Sequence, residues 1–182
     1  MGHYRGYRTD STRLEGWDYR RPGWYFITIC THGRTPFFGD VRDGVMELSP
    51  VGDTAHRFWD AIPDHCDRAR LDAFVAMPNH VHGLIGLVET LDPTPLRRSH
   101  DPGPGIDKHM SDISPKPGSI STIVRSYKAA VTRWARRNGY ADFRWQSRFH
   151  DHIVRHPAAF QRIRRYIIDN PARWEQDCYR ER

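Results

Sequence analysis

The chain has 182 residues, of which 38% are hydrophobic and 27% charged, a balance that fits one soluble domain with its own core. No stretch approaches the length of a membrane span, and the polar start Met-Gly-His-Tyr-Arg-Gly-Tyr-Arg lacks the apolar centre of a signal peptide. Cys30, Cys66 and Cys178 are odd in number and far apart, which argues for reduced thiols in a cytoplasmic protein over a disulfide framework or a zinc cluster.

Residues 1–22 read as an irregular basic arm. Gly23-Trp-Tyr-Phe-Ile-Thr-Ile-Cys-Thr, rich in aromatic and β-branched residues, is a strand. Residues 37–48 read as a small hairpin turning at Asp43-Gly44. Ser49 as cap and Pro50 at the first helical position open a helix through Val51, Ala55, Phe58, Trp59 and Ile62, stopping near Pro63. Residues 68–77 and 79–88 are two strands joined tightly through Pro78-Asn79, hence an antiparallel hairpin. The Pro-, Gly- and Ser-rich segment 89–118 has no apolar period and reads as a flexible insertion. A helix over 119–137 follows, with Ile123, Tyr127, Ala130, Val131 and Trp134 on one face. His150-Asp-His-Ile-Val-Arg is a short strand. Pro157 opens a last helix through Phe160, Ile163, Tyr166, Ile167 and Asn170, closed by Pro171. This order predicts an α+β fold, with helices packed on a mainly antiparallel sheet.

Charge is unevenly distributed over these elements. Residues 119–182 carry 14 Lys and Arg against 6 Asp and Glu, a net of +8, whereas residues 1–118 have a net of −2. A basic third of this kind predicts a polyanion-binding face, with a solvated helix surface as the plainer explanation. Tyr127, Trp134, Trp145, Phe149 and Tyr166 interleave with the arginines, a composition suited to single-stranded nucleic acid.

His80-Val81-His82 is the most informative local pattern. Side chains alternate along a strand, so both imidazoles share one face and Val81 takes the other. Chance pairing in a chain with 11 histidines is the competing explanation. Tyr166 and Asn170, four apart on the last helix, share a face beside Arg164 and Arg165, an arrangement that an ordinary amphipathic helix would also give.

Three segments taken together carry a resemblance: Met77-Pro-Asn-His-Val-His82, Trp145-Gln-Ser-Arg-Phe-His-Asp-His-Ile-Val-Arg155 and Arg165-Tyr-Ile-Ile-Asp-Asn-Pro171. In this order they resemble the signatures of the single-tyrosine HUH transposases, closest to the REP-associated tyrosine transposases and related to insertion-sequence-200-like enzymes. The resemblance runs from about Gly23 to about Trp174. It implies one HUH domain over residues 1–182, of ferredoxin-like or RRM-like fold. It further implies metal-dependent cleavage and rejoining of single-stranded or hairpin DNA through a 5′-phosphotyrosine. Carried over, His80 and His82 are metal ligands, Asn170 the third ligand and Tyr166 the nucleophile. Two imidazoles and an amide oxygen suit Mg²⁺ or Mn²⁺ better than structural zinc.

Tyr127, on another basic helix in Arg125-Ser-Tyr-Lys, is the rival nucleophile; its plainer role is in the core or in stacking. Arg125, Lys128, Arg148, Arg155, Arg164 and Arg165 are the candidate DNA contacts. His150 and His152 are expected to shape the site or hold DNA, with the metal elsewhere. A cytoplasmic, bacterial setting is implied by the resemblance. That group contains both dimers and monomers, so a homodimer stays open. A DNA-binding regulator that keeps the fold without cutting, and an RNA-binding module, are the competing functions.

Overall fold

A computed structural model describes residue 14 and residues 16–89 and 117–180 of the chain. The expectations for residues 1–13, 15 and 90–116, including most of the basic arm and the body of the insertion, lie outside the described residues. The elements in order are β1 (Gly23–Cys30), β2 (Gly39–Arg42), β3 (Val45–Leu48), α1 (Pro50–Asp60), α2 (Ile62–His65), β4 (Ala69–Met77), β5 (His80–Leu87), α3 (Ile120–Arg137), β6 (His150–Val154) and α4 (Pro157–Ile168). Strands β4, β5, β1 and β6 form one sheet in that order, antiparallel at every join. This is the α+β architecture expected from the order of elements.

The aromatic and β-branched residues of β1 place it in the interior of the sheet, paired with β5 from Gly23 to Cys30 and with β6 from Trp24 to Thr28. Tyr25, Ile27 and Ile29, all fully buried, join Val81 and Ile85 of β5 in the main core with Trp59 of α1 and Tyr127 and Val131 of α3. Side-chain alternation sends Trp24, Phe26 and Thr28 to the opposite face. There α4 covers the sheet, with Phe160 against Trp24 and Tyr166 edge-on to Phe26. Gly83 permits the close packing of the first layer. A methyl group at its Cα would lie 2.1 Å from Trp59 Cζ2, so only glycine lets the indole seat against β5.

Beta2 and β3 form a separate two-stranded ribbon. Its turn is at Asp43 and Gly44, whose φ values of 50° and 75° are those of a type I′ hairpin. The ribbon is tied to the β4–β5 turn by the Phe38 N–H, which donates to the Pro78 carbonyl at 3.0 Å. Ser49 caps α1 as expected: its Oγ accepts the Gly52 N–H at 3.1 Å and its hydroxyl donates to the Phe37 carbonyl at 2.6 Å. On the outer edge, pairing of β4 with β5 shifts register between Leu71 and Phe74.

Two boundaries differ from the sequence reading, both at prolines. Alpha1 ends at Asp60, and Pro63 sits in the first turn of the short α2. Alpha4 ends at Ile168, and Pro171 opens a 3₁₀ segment, Pro171–Gln176, in place of closing the helix. A proline lacks the N–H that the first turn leaves unused, so it starts a new turn as readily as it ends an old one. Among the described residues, no helix is long and apolar enough to cross a membrane.

Candidate metal and tyrosine site

His80 and His82 lie on the α4 face of β5, and both are buried. Their Nε2 atoms face each other at 3.0 Å. The other nitrogen of each ring is already engaged. His80 Nδ1 lies 2.9 Å from Asn79 Oδ1, and His82 Nδ1 lies 2.8 Å from Thr28 Oγ1. Asn79 Nδ2 donates to the Tyr179 carbonyl at 2.8 Å, which fixes the orientation of the amide. Its oxygen can only accept, so His80 carries its proton on Nδ1 and presents a bare Nε2 lone pair. This is how a ligating histidine is held: one nitrogen tethered, the other free to bind.

Burial disfavours the charged form of both rings. Burial, then the neighbouring His82 and Arg34, hold the His80 imidazole well below its usual range. Burial, then His150, push the His82 imidazole down to about 3. Both rings are therefore neutral at ordinary pH, the form that binds metal.

Asp177 completes the group. Its side chain is buried, and Oδ2 stands 3.9 Å from His80 Nε2. One ligand atom from each of His80, His82 and Asp177 lies within 4.8 Å of the others. Two facing imidazole nitrogens with a buried carboxylate beside them are a donor set that fits a divalent cation. Asp177 escaped the sequence reading because a single acid in a polar stretch carries no periodic or spacing signal. Tyr179 escaped for the same reason. Its ring packs 4.6 Å from that of His80, and the Arg34 guanidinium lies over the Tyr179 ring, 5.5 Å from its centroid, while donating to the Cys178 carbonyl at 3.0 Å.

Tyr166 is on α4, partly exposed at 37%, with its hydroxyl 3.3 Å from His82 Nε2. Burial, then Asp177 and Cys178, push its phenol up to about 12, while a hydrogen bond from Asn170 acts the other way. Asn170 stands just past the end of α4 but keeps a helical backbone, with its N–H reaching the Ile167 carbonyl at 3.4 Å. The one-turn relation to Tyr166 thus survives the earlier helix end. Asn170 is buried, and its Oδ1 has no hydrogen-bond partner, an acceptor left open beside the tyrosine.

Tyr127 is elsewhere. It packs in the core on the other face of the sheet, with its hydroxyl donating to the Ala55 carbonyl at 3.1 Å. Cys30 is a buried core thiol, pushed up to about 11 chiefly by burial. His150 and His152 are both exposed on the histidine face. Thr28 is in register with His82 on one side and His150 on the other, so the three form a row across the sheet. Neither His150 nor His152 is part of the His80, His82 and Asp177 group.

The candidate DNA contacts divide between the two faces. Arg125 is exposed on α3, and Arg148, Arg155 and Arg165 are exposed around β6 and α4. Arg164 donates to Asp72 of β4 at 2.9 Å. Lys128 is committed within the chain: its ammonium donates to the carbonyls of Gln146 at 2.6 Å and Ser147 at 3.3 Å. Burial pushes it down to about 8.

Comparison with known proteins adds two findings. The chain is 37% identical over 172 residues to an uncharacterized protein of Haemophilus influenzae, covering 92% of this chain and 90% of the relative. Its fold is similar to that of a REP-associated tyrosine transposase solved bound to a REP hairpin, with a TM-score of 0.56 and 18% identity, over 96% of this chain and 74% of that one. No family profile matches the chain.

Proposed function

We propose that this chain, which belongs to one family with the Haemophilus influenzae protein, cleaves and rejoins single-stranded DNA through a covalent tyrosine intermediate, on hairpin-forming DNA. The observation that carries the reading is the 3.3 Å approach of the Tyr166 hydroxyl to His82 Nε2, beside two neutral imidazoles and a buried carboxylate. The fold shared with a hairpin-bound tyrosine transposase supports it.

In this reading Tyr166 Oη loses its proton and attacks the scissile phosphorus. The bond from phosphorus to O3′ breaks, the 3′ oxygen takes up a proton, and a 5′-phosphotyrosine remains. A free 3′-OH reverses the step, so no nucleotide energy source is needed. His80 and His82 would hold Mg²⁺ or Mn²⁺, with Asp177 and Asn170 as oxygen donors; when bound, such an ion supplies positive charge against the scissile phosphate. Asn79 and Thr28 keep the two rings aimed. Arg125, Arg148, Arg155 and Arg165 offer phosphate contacts, and Arg164 does so in competition with Asp72.

One observation favours a second reading. Tyr179 packs against the His80 ring, with Asn79 donating to its carbonyl and Arg34 lying over its ring, so the His80 side of the site is covered. A covered site suits a regulator that binds hairpin DNA without cutting it. Labelled single-stranded DNA with Mn²⁺ separates the two. The transferase reading expects a denaturation-resistant adduct on the 5′ side of the cut, lost in Tyr166→Phe with DNA binding retained, and kept in Tyr127→Phe. An adduct mapped to Tyr127 would overturn the assignment of the nucleophile. Hairpin binding without any adduct would favour the regulator.

A further inference from the structure

Arg34 stands in the turn after β1, outside every motif of the sequence reading. Its φ of 54° is in the left-handed region, which a bulky side chain rarely adopts. Gly33, at φ 61°, precedes it in the same region. The turn is held closed: the Arg34 N–H donates to the Thr31 carbonyl at 3.2 Å, and the Thr35 N–H donates to the His32 carbonyl at 3.4 Å. Backbone strain of this kind costs stability and collects at functional sites, where the surroundings hold a side chain in one place.

The guanidinium held there is not fully used. Among the described residues Arg34 forms no ion pair. Its Nε is buried without a hydrogen-bond partner. Its other contacts are neutral: the Cys178 carbonyl and the Tyr179 ring. A cation with no carboxylate and a spare donor suits an anion arriving from outside, and a phosphate matches the planar fork of arginine.

The register of the sheet indicates which phosphate. Along β1, Phe26 meets the Tyr166 ring edge-on, Thr28 stands opposite His82 and Cys30 stands opposite His80. Arg34 follows past the end of the strand, and the Tyr179 ring contacts both its guanidinium and the His80 ring. The order along the face is therefore Tyr166, His82, His80, Arg34. In phosphoryl transfer the attacking and leaving oxygens stand roughly in line on opposite sides of phosphorus. With Tyr166 at one end of the row, O3′ and the strand that carries it depart toward the other end, where Arg34 stands.

We propose that Arg34 is a substrate-contacting residue. It grips the phosphate one nucleotide 5′ of the cut, in place of the Cys178 carbonyl, and so keeps the strand ending in the freed 3′-OH in position for rejoining. The inference rests on the transferase reading and adds what retains the strand that reverses the step.

The test uses the full chain with Mn²⁺ and a labelled DNA hairpin with an unpaired flank, on which the adduct maps the cut. A methylphosphonate, which removes the charge of one phosphate, is placed in turn at each position of the flank. Binding is measured in the Tyr166→Phe background, where no adduct forms. There the methylphosphonate one nucleotide 5′ of the cut should weaken binding at least about tenfold, the worth of a hydrogen bond to a charged group. Adding Arg34→Gln should weaken binding of unmodified DNA by a similar factor and abolish the further loss from that methylphosphonate. Arg34→Lys keeps the charge and should restore the sensitivity. With Tyr166 intact, Arg34→Gln should still form the adduct but rejoin at least about tenfold less of it after dilution, when a released strand cannot return. Thermal unfolding checks that the variants fold.

Tyr179→Ala separates a purely structural role. If Arg34 only anchored Tyr179, Arg34→Gln would behave like Tyr179→Ala and keep the full methylphosphonate penalty, which would overturn the proposal. Coupling to a phosphate on the 3′ side of the cut would overturn it as well. An adduct from wild type without coupling at any position would refute the role of Arg34 alone. Coupling on the flank without any adduct from wild type would refute the transferase reading and keep Arg34 as a phosphate contact.

Discussion

Replacing Gly83 with alanine should destabilise the chain by about 3 kcal/mol, the upper range for overpacking a core. The added Cβ would stand 2.1, 2.6 and 2.8 Å from three atoms of the Trp59 indole, where ordinary carbon contacts are roughly 3.5–4.0 Å. Relief needs a movement of more than about 1 Å by the ring or the strand. Trp59 cannot yield easily, because it stacks on Phe74 at 4.6 Å and meets Tyr127 edge-on at 5.4 Å. Beta5 cannot yield easily either, since it pairs on both sides. For a domain of this size about 3 kcal/mol corresponds to a fall in Tm of roughly 6–12 °C. Trp59→Phe removes the offending ring edge together with an indole N–H that is buried without a partner, so its own cost is reduced. The double variant should then be at least about 1.5 kcal/mol more stable than the sum of the single effects requires. Urea unfolding followed by far-ultraviolet circular dichroism measures all four corners of the cycle. A single variant within about 1 kcal/mol of wild type, or strict additivity in the double, would refute the packing argument.

Three further outcomes are expected. Asn79→Ala frees the His80 ring to turn and should weaken Mn²⁺ binding by about 10- to 100-fold, read by titration calorimetry, with little change in hairpin affinity. An unchanged metal affinity would show that Asn79 does not orient the ring. The depressed His82 imidazole binds a proton more weakly folded than unfolded, so its contribution to stability is present above pH 6.5 and is lost as pH falls toward about 3. His82→Gln should flatten that acid limb in urea unfolding, and an identical limb would contradict it. Tyr127→Phe should cost about 1 kcal/mol, the value of one buried hydrogen bond, in the same unfolding assay. A loss above about 3 kcal/mol would mean that the hydroxyl supports more than the Ala55 carbonyl.

Local patterns in the sequence specify much of this architecture. The apolar alternation of β1, the Asp43-Gly44 turn and the Ser49-Pro50 cap each act within a few residues, so a linear reading finds them. The shared face of His80 and His82 follows from strand geometry alone. The Tyr166–Asn170 spacing holds through a helical backbone that outlasts the helix proper. Asp177 and Tyr179 were not legible, because nearly 100 residues separate them from the histidines and only the path of the 3₁₀ segment brings them there. The backbone partners of Lys128 were not legible for a related reason. Its charge suggested phosphate, but its position under residues 146 and 147 gives it two carbonyls to satisfy. Pro63 and Pro171 show the ambiguity of a residue that both ends and begins helical turns.

The sheet has two free edges, and each is protected differently. Beta4 has its register break at Asp72 and Ala73, and the Asp72 carboxylate is held by Arg164 reaching across from α4. Beta6 is only five residues long and is flanked by Arg148 and Arg155. A regular, uncharged edge invites another strand to add to it, and a broken or short and cationic one does not. Joining of two sheets edge to edge is therefore disfavoured on both sides, which keeps copies of this chain from adding to one another strand by strand.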